Sequence, residues 1–398
     1  MPDNLDYPNG VPSPFSSQPI QPQQPPAPPP QPVAPAPVPA QPVQQPPQYQ
    51  YPLPPLPDVD PNDPNAEVVS YSSWCSGSDY DDNMLDQNIA QYMQYANRRT
   101  GFDNLDTIQP LFPGLYIIGA VPSIGKTTFV HQLVEQIAAN GEYVLFFSLE
   151  QSLFQLHTKS LSRIIYKKFK ATQSGMTYTA KGIQCGAANG TQELADARAV
   201  YKQTIGPRLN VVEGGFSMTV EKIIKTATRF QEQTGHKPVI VIDYLQIVGK
   251  STDEKGHKMD IRENIDHVVQ TLKDFQDEDD MTIFIVSALN RQNYMAPIEF
   301  ESFKESGGIE YTADVVWGLQ FWVLNDDTFN REGRIKDKRD KIKEAKEAIP
   351  RELELVCLKN RFGMSSFTVE FEYQPAFDTF EVPRIGFATI HKADHLKK

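Results

Sequence analysis

The stretch Gly114-Leu-Tyr-Ile-Ile-Gly-Ala-Val-Pro-Ser-Ile-Gly-Lys-Thr-Thr128 decides the fold of this chain. An apolar strand leads into a loop of small residues and then into Gly-Lys-Thr, after which apolar residues recur at helical spacing from Phe129 to Ile137. Strand, loop and helix in this order are the context in which a phosphate-binding loop is expected. The consecutive backbone N–H groups of the loop and the start of the helix predict an anion site for the phosphates of a nucleotide.

The residue types in this loop predict individual roles. Lys126 is expected to reach the β- and γ-phosphates, and Thr127 to place its hydroxyl group on Mg²⁺. One position departs from the pattern G-x-x-x-x-G-K-[ST], because Ala120 stands where the first glycine is expected. A chance Gly-Lys-Thr at a strand–helix turn is the alternative, and the flanking strand and helix disfavour it. The other residues expected around the nucleotide are Val121, Pro122, Ser123, Ile124, Gly125 and Thr128.

Residues 1–80 differ in composition from the rest of the chain. They contain 24 of the 33 prolines, and no Lys or Arg precedes Arg98. Such a segment buries too little apolar surface to offset its ordering entropy, so we predict a disordered, partly polyproline-II tail. Proline-rich stretches such as Pro25–Pro30 suit an aromatic-lined groove on a partner protein, and a plain tether is the alternative interpretation.

The negative charge of the chain also belongs to its beginning. Residues 1–97 carry ten acidic and no basic side chains, whereas the remaining 301 residues carry 38 basic and 40 acidic ones. The acidic balance therefore does not exclude nucleic-acid binding by the later part. The three cysteines, Cys75, Cys185 and Cys357, are too scattered for a zinc site or a disulfide framework. Without an 18-residue apolar run or a signal-peptide pattern, we expect a cytoplasmic protein with no membrane segment.

Beyond the loop, strand and helix patterns alternate, which predicts an α/β fold with a mostly parallel sheet flanked by helices. A charged stretch from Arg331 to Ala348 is interpreted as a solvated surface helix, with a DNA-binding patch as the alternative. The chain ends in a predicted β-hairpin, Leu353–Lys359 and Ser366–Tyr373. The other predicted strands are Tyr143–Ser148, Val239–Asp243, Thr282–Ser287 and Val315–Leu319, and the predicted helices include Val220–Thr234 and Ile261–Asp277.

Polar residues follow three of these strands at the edge where ligands bind in open α/β sheets. Asp243 ends an apolar strand and is expected to help coordinate Mg²⁺ opposite the phosphate-binding loop. Glu150 follows the strand that ends at Ser148, and is a candidate for the base that orients an attacking water. The segment Ser287–Arg291 follows the third strand and is a candidate sensor of the nucleotide.

Six motifs in a fixed order carry a resemblance to a known family. Together they resemble the C-terminal motor domain of DnaB-type replicative helicases, a RecA-like P-loop NTPase fold, over roughly residues 99–380. The motifs are Gly119-Ala-Val-Pro-Ser-Ile-Gly-Lys-Thr-Thr-Phe129, Phe147-Ser-Leu-Glu150, Val241-Ile-Asp-Tyr-Leu-Gln246, Ser287-Ala-Leu-Asn-Arg291, Lys304-Glu-Ser-Gly-Gly-Ile-Glu310 and Lys359-Asn-Arg-Phe-Gly363.

The resemblance implies an ATP- and Mg²⁺-dependent helicase that forms a homo-oligomer, usually a hexameric ring, and moves 5′ to 3′ along single-stranded DNA in replication. It makes Glu150 the catalytic carboxylate and Asp243 the Walker B acid. By the same match, Lys359 and Arg361 reach into the nucleotide site of a neighbouring subunit. A cation supplied in this way stabilises transition-state charge and couples hydrolysis to subunit contact.

The resemblance also implies a DNA-binding loop and a domain organisation. Lys304, Glu305 and Gly307 match a loop that holds the DNA backbone, which predicts salt-sensitive and largely sequence-independent binding. The expected order is a tail (1–80), a linker helix (81–98), the ATPase domain (99–385) and a C-terminal tail (386–398). Within the linker, one helical face carries Leu85, Ile89, Tyr92, Met93 and Ala96. This face is expected to pack either on the next subunit or on its own domain.

Two departures from the family pattern leave alternatives open. The family usually has Gln, a γ-phosphate sensor, where this chain has Ala288, so hydrolysis is expected to be slow, poorly coupled to DNA, or sensed by another residue such as Asn290. Full replicative helicases carry a helical domain that contacts primase, and this chain has the proline-rich segment instead. The partner expected for this segment is a replication partner. A DNA helicase motor is the main prediction. The alternatives are a DNA-dependent ATPase that binds or remodels DNA without unwinding, and a nucleotide-dependent recruitment platform.

Overall fold

A computed structural model describes residues 77–121, 123–251, 257–290, 294–303, 307–331, 333–383 and 389–390. The predicted tail therefore lies almost entirely outside the described residues. The same is true of Pro122, Lys304 and Glu305 among the predicted site residues.

A single twisted sheet carries the fold within this described part. Its strand order is β10-β8-β7-β6-β1-β5-β4-β2-β3, with β9 paired to β8. The six strands from β6 to β3 run parallel, while β7, β8, β9 and β10 are antiparallel. The strands are β1 Gly114–Ala120, β2 Val144–Ser148, β3 Leu209–Glu213, β4 Val239–Asp243, β5 Thr282–Ala288, β6 Val315–Phe321, β7 Arg351–Asn360, β8 Phe367–Gln374, β9 Thr379–Glu381 and β10 Thr389–Ile390.

Helices follow the strands along the chain. They are α1 Gly77–Tyr80, α2 Asp86–Met93, α3 Asp103–Asp106, α4 Lys126–Ala139, α5 Leu153–Thr172, α6 Ala180–Gln184, α7 Gln192–Thr204, α8 Val220–Thr234, α9 Ile261–Asp279, α10 Gly307–Thr312, α11 Asp327–Arg331 and α12 Ile335–Glu347. Among the described residues, no helix is both long enough and apolar enough to cross a membrane.

Local sequence signals explain where the long helices begin. Ser152 caps α5 and exchanges hydrogen bonds with Gln155, and Asp260 does the same with Glu263 at the start of α9. Such reciprocal caps satisfy backbone donors that the first helical turn leaves free. The central strands are mostly apolar, and all residues of β1 and β4 are buried. This pattern is typical of parallel strands covered on both faces.

The C-terminal hairpin β7–β8 extends the sheet beyond β6, as the sequence predicts. The chain then returns over α4, where the side-chain amide of Gln132 donates to the Phe380 carbonyl and accepts from the Phe380 N–H, both at 2.8 Å. Phe129 of α4 packs edge-on against Phe371 and Phe380. These contacts bring the end of the chain next to the phosphate-binding loop.

Two elements differ from the sequence-based expectation. Strand β3 was not predicted, because Leu209–Glu213 is short and only its first residue is buried. The predicted linker helix ends early, since α2 stops at Met93. Its end packs on its own domain, with the Tyr92 and Phe112 ring centroids 5.8 Å apart. Met84, Ile89 and Met93 on the same segment remain exposed, so packing on a neighbouring subunit stays a prediction for them.

Candidate active site

The phosphate-binding loop connects the end of β1 to the start of α4. Its backbone is left-handed at Ser123, with φ 66°, and at Gly125, with φ 104°. A Cβ atom at Gly125 would also lie 2.9 Å from the Tyr373 ring. Glycine is therefore required at this position by backbone conformation and by the close approach of the C-terminal segment. Because α4 begins at Lys126, the first-turn N–H groups are available to an anion at this point.

An open cavity of about 510 Å³ lies above the loop. A cavity of this size is in the range of small-molecule and cofactor sites. Most of the residues predicted to surround the nucleotide line it, but Ile124 is fully buried in the core instead. The lining residues are Ala120, Val121, Ser123, Gly125, Lys126, Thr127, Thr128, Glu150, Gln151, Lys159, Tyr244, Ala288, Tyr373 and Asp378.

Lys126 extends into this cavity with its ammonium group 4.5 Å from the centroid of the Tyr244 ring. Burial lowers the pKa of Lys126, while the nearby carboxylates of Asp243 and Glu150 favour its charged form. A partly desolvated cation gains more from an approaching phosphate than a cation in water does, because the local dielectric is low. The position of Lys126 thus suits phosphate binding.

Asp243, at the end of β4, is 1 % exposed, and neither of its carboxylate oxygens has a hydrogen-bond partner of standard geometry among the described residues. Burial raises the pKa of Asp243, while Lys126 and the hydroxyl group of Thr127 act in the opposite direction. A buried carboxylate without a partner is costly unless a cation or donor completes it. Asp243 and Thr127 therefore fit a hard, oxygen-liganded cation such as Mg²⁺.

Glu150 reaches the same cavity from the neighbouring strand. Ser148 of β2 pairs with Asp243 in the parallel register, and the Leu149 N–H donates to the Asp243 carbonyl at 2.8 Å. This pairing aligns the two strand ends, so Glu150 lies beside the loop rather than deeper in the sheet. Its side chain is exposed and lines the cavity, which leaves it free to contact a water molecule.

Ala288 lines the cavity at the end of β5, directly beside Ala120 in the parallel register. Its methyl group offers no hydrogen bond, and its N–H donates to Gln246 Oε1 at 3.1 Å. Asn290, the alternative sensor, forms its side-chain hydrogen bonds away from the cavity, and its role as a sensor stays a prediction. Its amide nitrogen donates to the carbonyls of Glu301 and Phe303, and Asn290 is not among the residues that line the cavity.

Three further residues of the cavity escape the sequence motifs. The Lys159 ammonium lies 3.4 Å from the Asp378 carboxylate, and the Thr128 hydroxyl donates to the same carboxylate at 3.1 Å. Tyr373 forms another part of the wall. Lys159 comes from α5, Tyr373 from the end of β8, and Asp378 from the C-terminal segment that returns over α4. The only sequence signal for Lys159 is its position on the helix that follows Glu150.

Lys359 and Arg361 lie at the opposite edge of the sheet. Arg361 donates to Asp314 Oδ1 at 2.8 Å and to the Tyr311 carbonyl at 3.0 Å, and its side chain is 47 % exposed. Lys359 donates to the Glu310 carbonyl at 2.6 Å. Burial, followed by the nearby charge of Arg361, lowers the pKa of Lys359. Both cations thus meet carbonyls at the C-terminal end of α10, a favourable place for positive charge.

Asp314 links Arg361 to the beginning of β1. One of its carboxylate oxygens accepts the Leu115 N–H at 2.8 Å, and the carboxylate also contacts the Lys273 ammonium at 2.9 Å. Leu115 is the second residue of β1, whereas the phosphate-binding loop follows its last residue. At about 3.3 Å per residue, the two ends of this strand are roughly 20 Å apart. Arg361 therefore does not reach the cavity of its own chain.

Comparison with known proteins places this geometry in a family. The family model described as "DnaB-like helicase C terminal domain" matches residues 98–382. The chain belongs to the DnaB-like helicase C-terminal domain family. It is 26 % identical over 249 residues to the replicative DNA helicase DnaB of Pasteurella multocida, a match that covers 60 % of this chain and 48 % of that helicase. The chain spans about half the length of that relative.

Solved structures support the same fold for the DnaB-like domain. A structure titled as an ATPase domain superposes with a TM-score of 0.59 at 19 % identity, covering 78 % of this chain and 100 % of that chain. A structure titled as a DnaB-like replicative helicase and its interactions with primase superposes with a TM-score of 0.57 at 19 % identity. That match covers 75 % of this chain and 65 % of the other. The predicted RecA-like P-loop fold is confirmed.

Proposed function

We propose that this DnaB-like chain is an ATP-dependent 5′–3′ DNA helicase motor that acts in DNA replication as a ring on single-stranded DNA. Family membership supports the motor, and the cavity beside Lys126 supports its use of a nucleotide. The direction of movement and the hexameric state rest on the family resemblance. The proposal extends to ATP and Mg²⁺ as cofactors.

The residues around the cavity have complementary roles in this proposal. Lys126 and the first-turn N–H groups of α4 hold the phosphates, and Thr127 and Asp243 hold Mg²⁺. When bound there, Mg²⁺ would neutralise charge that develops on the phosphates. Glu150 accepts a hydrogen bond from the attacking water and orients it toward the phosphorus. No other described carboxylate that lines the cavity is free for this role, because Asp378 is engaged by Lys159 and Thr128.

The separation of Arg361 from its own phosphate-binding loop carries the proposal of a ring. A site for phosphoryl transfer gains much of its rate from a cation that stabilises the transition state. Arg361 is half exposed and held by Asp314 at the far edge of the sheet. It is thus available to a second subunit but not to its own chain. Head-to-tail contacts of this kind close into rings when the rotation between subunits allows it.

Ala288 favours a second candidate function. An alanine beside the γ-phosphate removes a contact that reports hydrolysis to the rest of the domain. This change is compatible with a DNA-dependent ATPase that binds or remodels DNA without unwinding it. The charged set of Lys126, Glu150 and Asp243 argues against the third alternative, a recruitment platform that does not hydrolyse nucleotide.

Two assays on the purified protein separate these functions. Phosphate release is measured with and without single-stranded DNA, and strand displacement is measured on duplexes with either a 5′ or a 3′ single-stranded tail. The helicase proposal predicts DNA-stimulated release and displacement from the 5′ tail. Stimulated release without displacement supports the second candidate, and absence of both contradicts a DNA motor.

A further inference from the structure

A second cavity, of about 330 Å³, lies on the surface beside the start of α9. Two large apolar side chains at this cavity are mostly exposed, with Phe216 at 80 % and Ile261 at 58 %. Lys250 and Lys258 also line it, and its described lining includes no acidic residue. We call this surface, formed by Phe216, Lys250, Lys258 and Ile261, the Phe216 patch. None of the predicted site residues belongs to it.

The backbone beneath Phe216 is held in place although its ring is exposed. The Met218 N–H donates to the Gly215 carbonyl at 2.8 Å, which closes a turn around Phe216, and the Gly249 N–H donates to the Met218 carbonyl at 2.8 Å. A Cβ atom at Gly249 would lie 2.4 Å from the Phe216 carbonyl oxygen. Glycine at position 249 therefore lets the backbone there contact the turn around Phe216. An exposed ring on a fixed backbone binds a flat partner with little loss of conformational entropy.

The charged residues in the described lining of the patch are two lysines, which favours an anionic partner. Neither Lys250 nor Lys258 forms an ion pair with any described residue. Three described carboxylates close to these lysines in sequence or on α8 have partners of their own. Glu221 accepts from Ser251 at 2.7 Å and contacts His267 at 3.3 Å, and Asp260 and Glu263 cap α9. Two such cations beside an exposed aromatic ring are the pattern by which proteins bind single-stranded nucleic acid.

The Phe216 patch lies near the sites expected for both DNA and the nucleotide. Ile261 and Asp266 are five residues apart on α9, which is about 7.5 Å along a helix. A Cβ atom at Gly308 would lie 2.7 Å from Asp266, so α10, which begins at Gly307 of the proposed DNA loop, packs close by. Gln246 lines the patch and accepts the N–H of Ala288, which lines the nucleotide cavity.

We propose that Phe216, flanked by Lys250 and Lys258, is a base-stacking site for single-stranded DNA. The proposal rests on the proposed function and adds a contact to bases, whereas the loop around Gly307 is expected to contact the DNA backbone. The ring stacks on a base, and the two ammonium groups bind adjacent phosphates. Stacking tolerates any base, so this contact adds affinity without sequence specificity.

The test compares two ligands of equal length, an oligothymidylate and an abasic deoxyribose-phosphate oligomer. Binding is measured by fluorescence anisotropy at several salt concentrations. For Phe216→Ala we expect about tenfold weaker binding of the oligothymidylate, the scale of one base stack, and little change for the abasic oligomer. Phe216→Tyr keeps a ring and should bind like the wild type. The control is Phe154→Ala, which removes another exposed phenylalanine that lies outside the patch.

The lysines are tested by the salt dependence of the same titrations. The double variant Lys250→Ala/Lys258→Ala loses two phosphate contacts, so the negative slope of log K against log salt should become shallower by about 1.4 for both ligands. An equal effect of Phe216→Ala on both ligands, or no effect, would overturn the stacking site. Loss of the oligomer in Phe216→Ala, measured by light scattering, would make the patch a subunit interface and also overturn it. If the wild type binds neither oligomer, the proposed function itself fails.

Discussion

Two opposite charges at the nucleotide cavity reduce each other's burial cost. Lys126 is partly desolvated, so its pKa is lowered, and the buried carboxyl group of Asp243 has a raised pKa for the same reason. Each favours the charged form of the other. When Lys126 is removed, the buried carboxyl group of Asp243 can take up a proton instead of remaining as an uncompensated charge.

Lys126→Ala should abolish ATP hydrolysis, because the phosphates lose a cation that the transition state requires. The fold should persist, since Lys126 is not part of the hydrophobic core. Phosphate release and far-ultraviolet circular dichroism measure the two effects. The control is Lys346→Ala on the exposed face of α12, which should hydrolyse normally. Near-normal turnover of Lys126→Ala with a native spectrum would contradict the assignment of this loop.

Ala288→Gln should raise DNA-stimulated turnover, because it returns a polar contact to a position that lines the cavity. A hydrogen bond to a charged group contributes about 1.5–3 kcal/mol, so a gain of about tenfold or more is expected. Ala288→Leu, of similar length but without hydrogen-bonding groups, is the matched control. Equal or lower activity of the Gln variant would mean that the site is adapted to alanine. Ala288 would then not explain weak coupling between DNA binding and hydrolysis.

At the scale of elements, strand β7 contains a buried carboxylate opposite a second one. Glu354 accepts hydrogen bonds from Gln320 at 2.6 Å and from Asn325 at 3.1 Å, and it faces Glu370 across the β7–β8 pair. Burial raises the pKa of Glu354 to about 7, with Glu370 acting in the same direction. The folded state therefore retains a proton that the unfolded chain releases near pH 4.5.

This difference makes the free energy of unfolding fall as the pH rises from about 4.5 through 7, by up to about 3 kcal/mol. Glu354→Gln imitates the protonated form, so it should stabilise the protein at pH 8 and flatten this dependence. Urea unfolding at pH 6 and pH 8 measures the effect. Glu352→Gln, at an exposed position of the same strand, should leave the dependence unchanged. A Glu354→Gln protein no more stable than wild type at pH 8 would contradict the raised pKa.

The sequence predicted the elements whose signals are local. Val239–Asp243 is a fully apolar strand that ends in a carboxylate, and the structure has a strand with these bounds. Lys159 and Asp378 were not predicted, because they meet only after the C-terminal segment returns over α4 through Gln132 and Phe380. That contact joins residues 248 positions apart. No periodicity or motif near Lys159 or Asp378 in the sequence indicates that they meet.

For the molecule as a whole, the proposed catalytic site requires a neighbouring subunit. Each chain carries a phosphate-binding loop at one edge of the sheet and the cations Lys359 and Arg361 at the other. Asp314 holds Arg361 in place without covering it. In the proposed function, a complete catalytic site forms between two copies, so hydrolysis depends on their contact.

Mixing two inactive variants tests whether the catalytic site is shared between subunits. Arg361→Ala should bind nucleotide almost normally and hydrolyse it about 10³–10⁵ times more slowly, the usual contribution of such an arginine. Lys126→Ala should also be inactive. In a mixture, some interfaces combine an intact Lys126 with an intact Arg361, so part of the activity should return. The controls are each variant alone at the same total concentration, with subunit exchange followed by fluorescence energy transfer. A mixture as inactive as its components, although subunits exchange, would contradict a site shared between subunits.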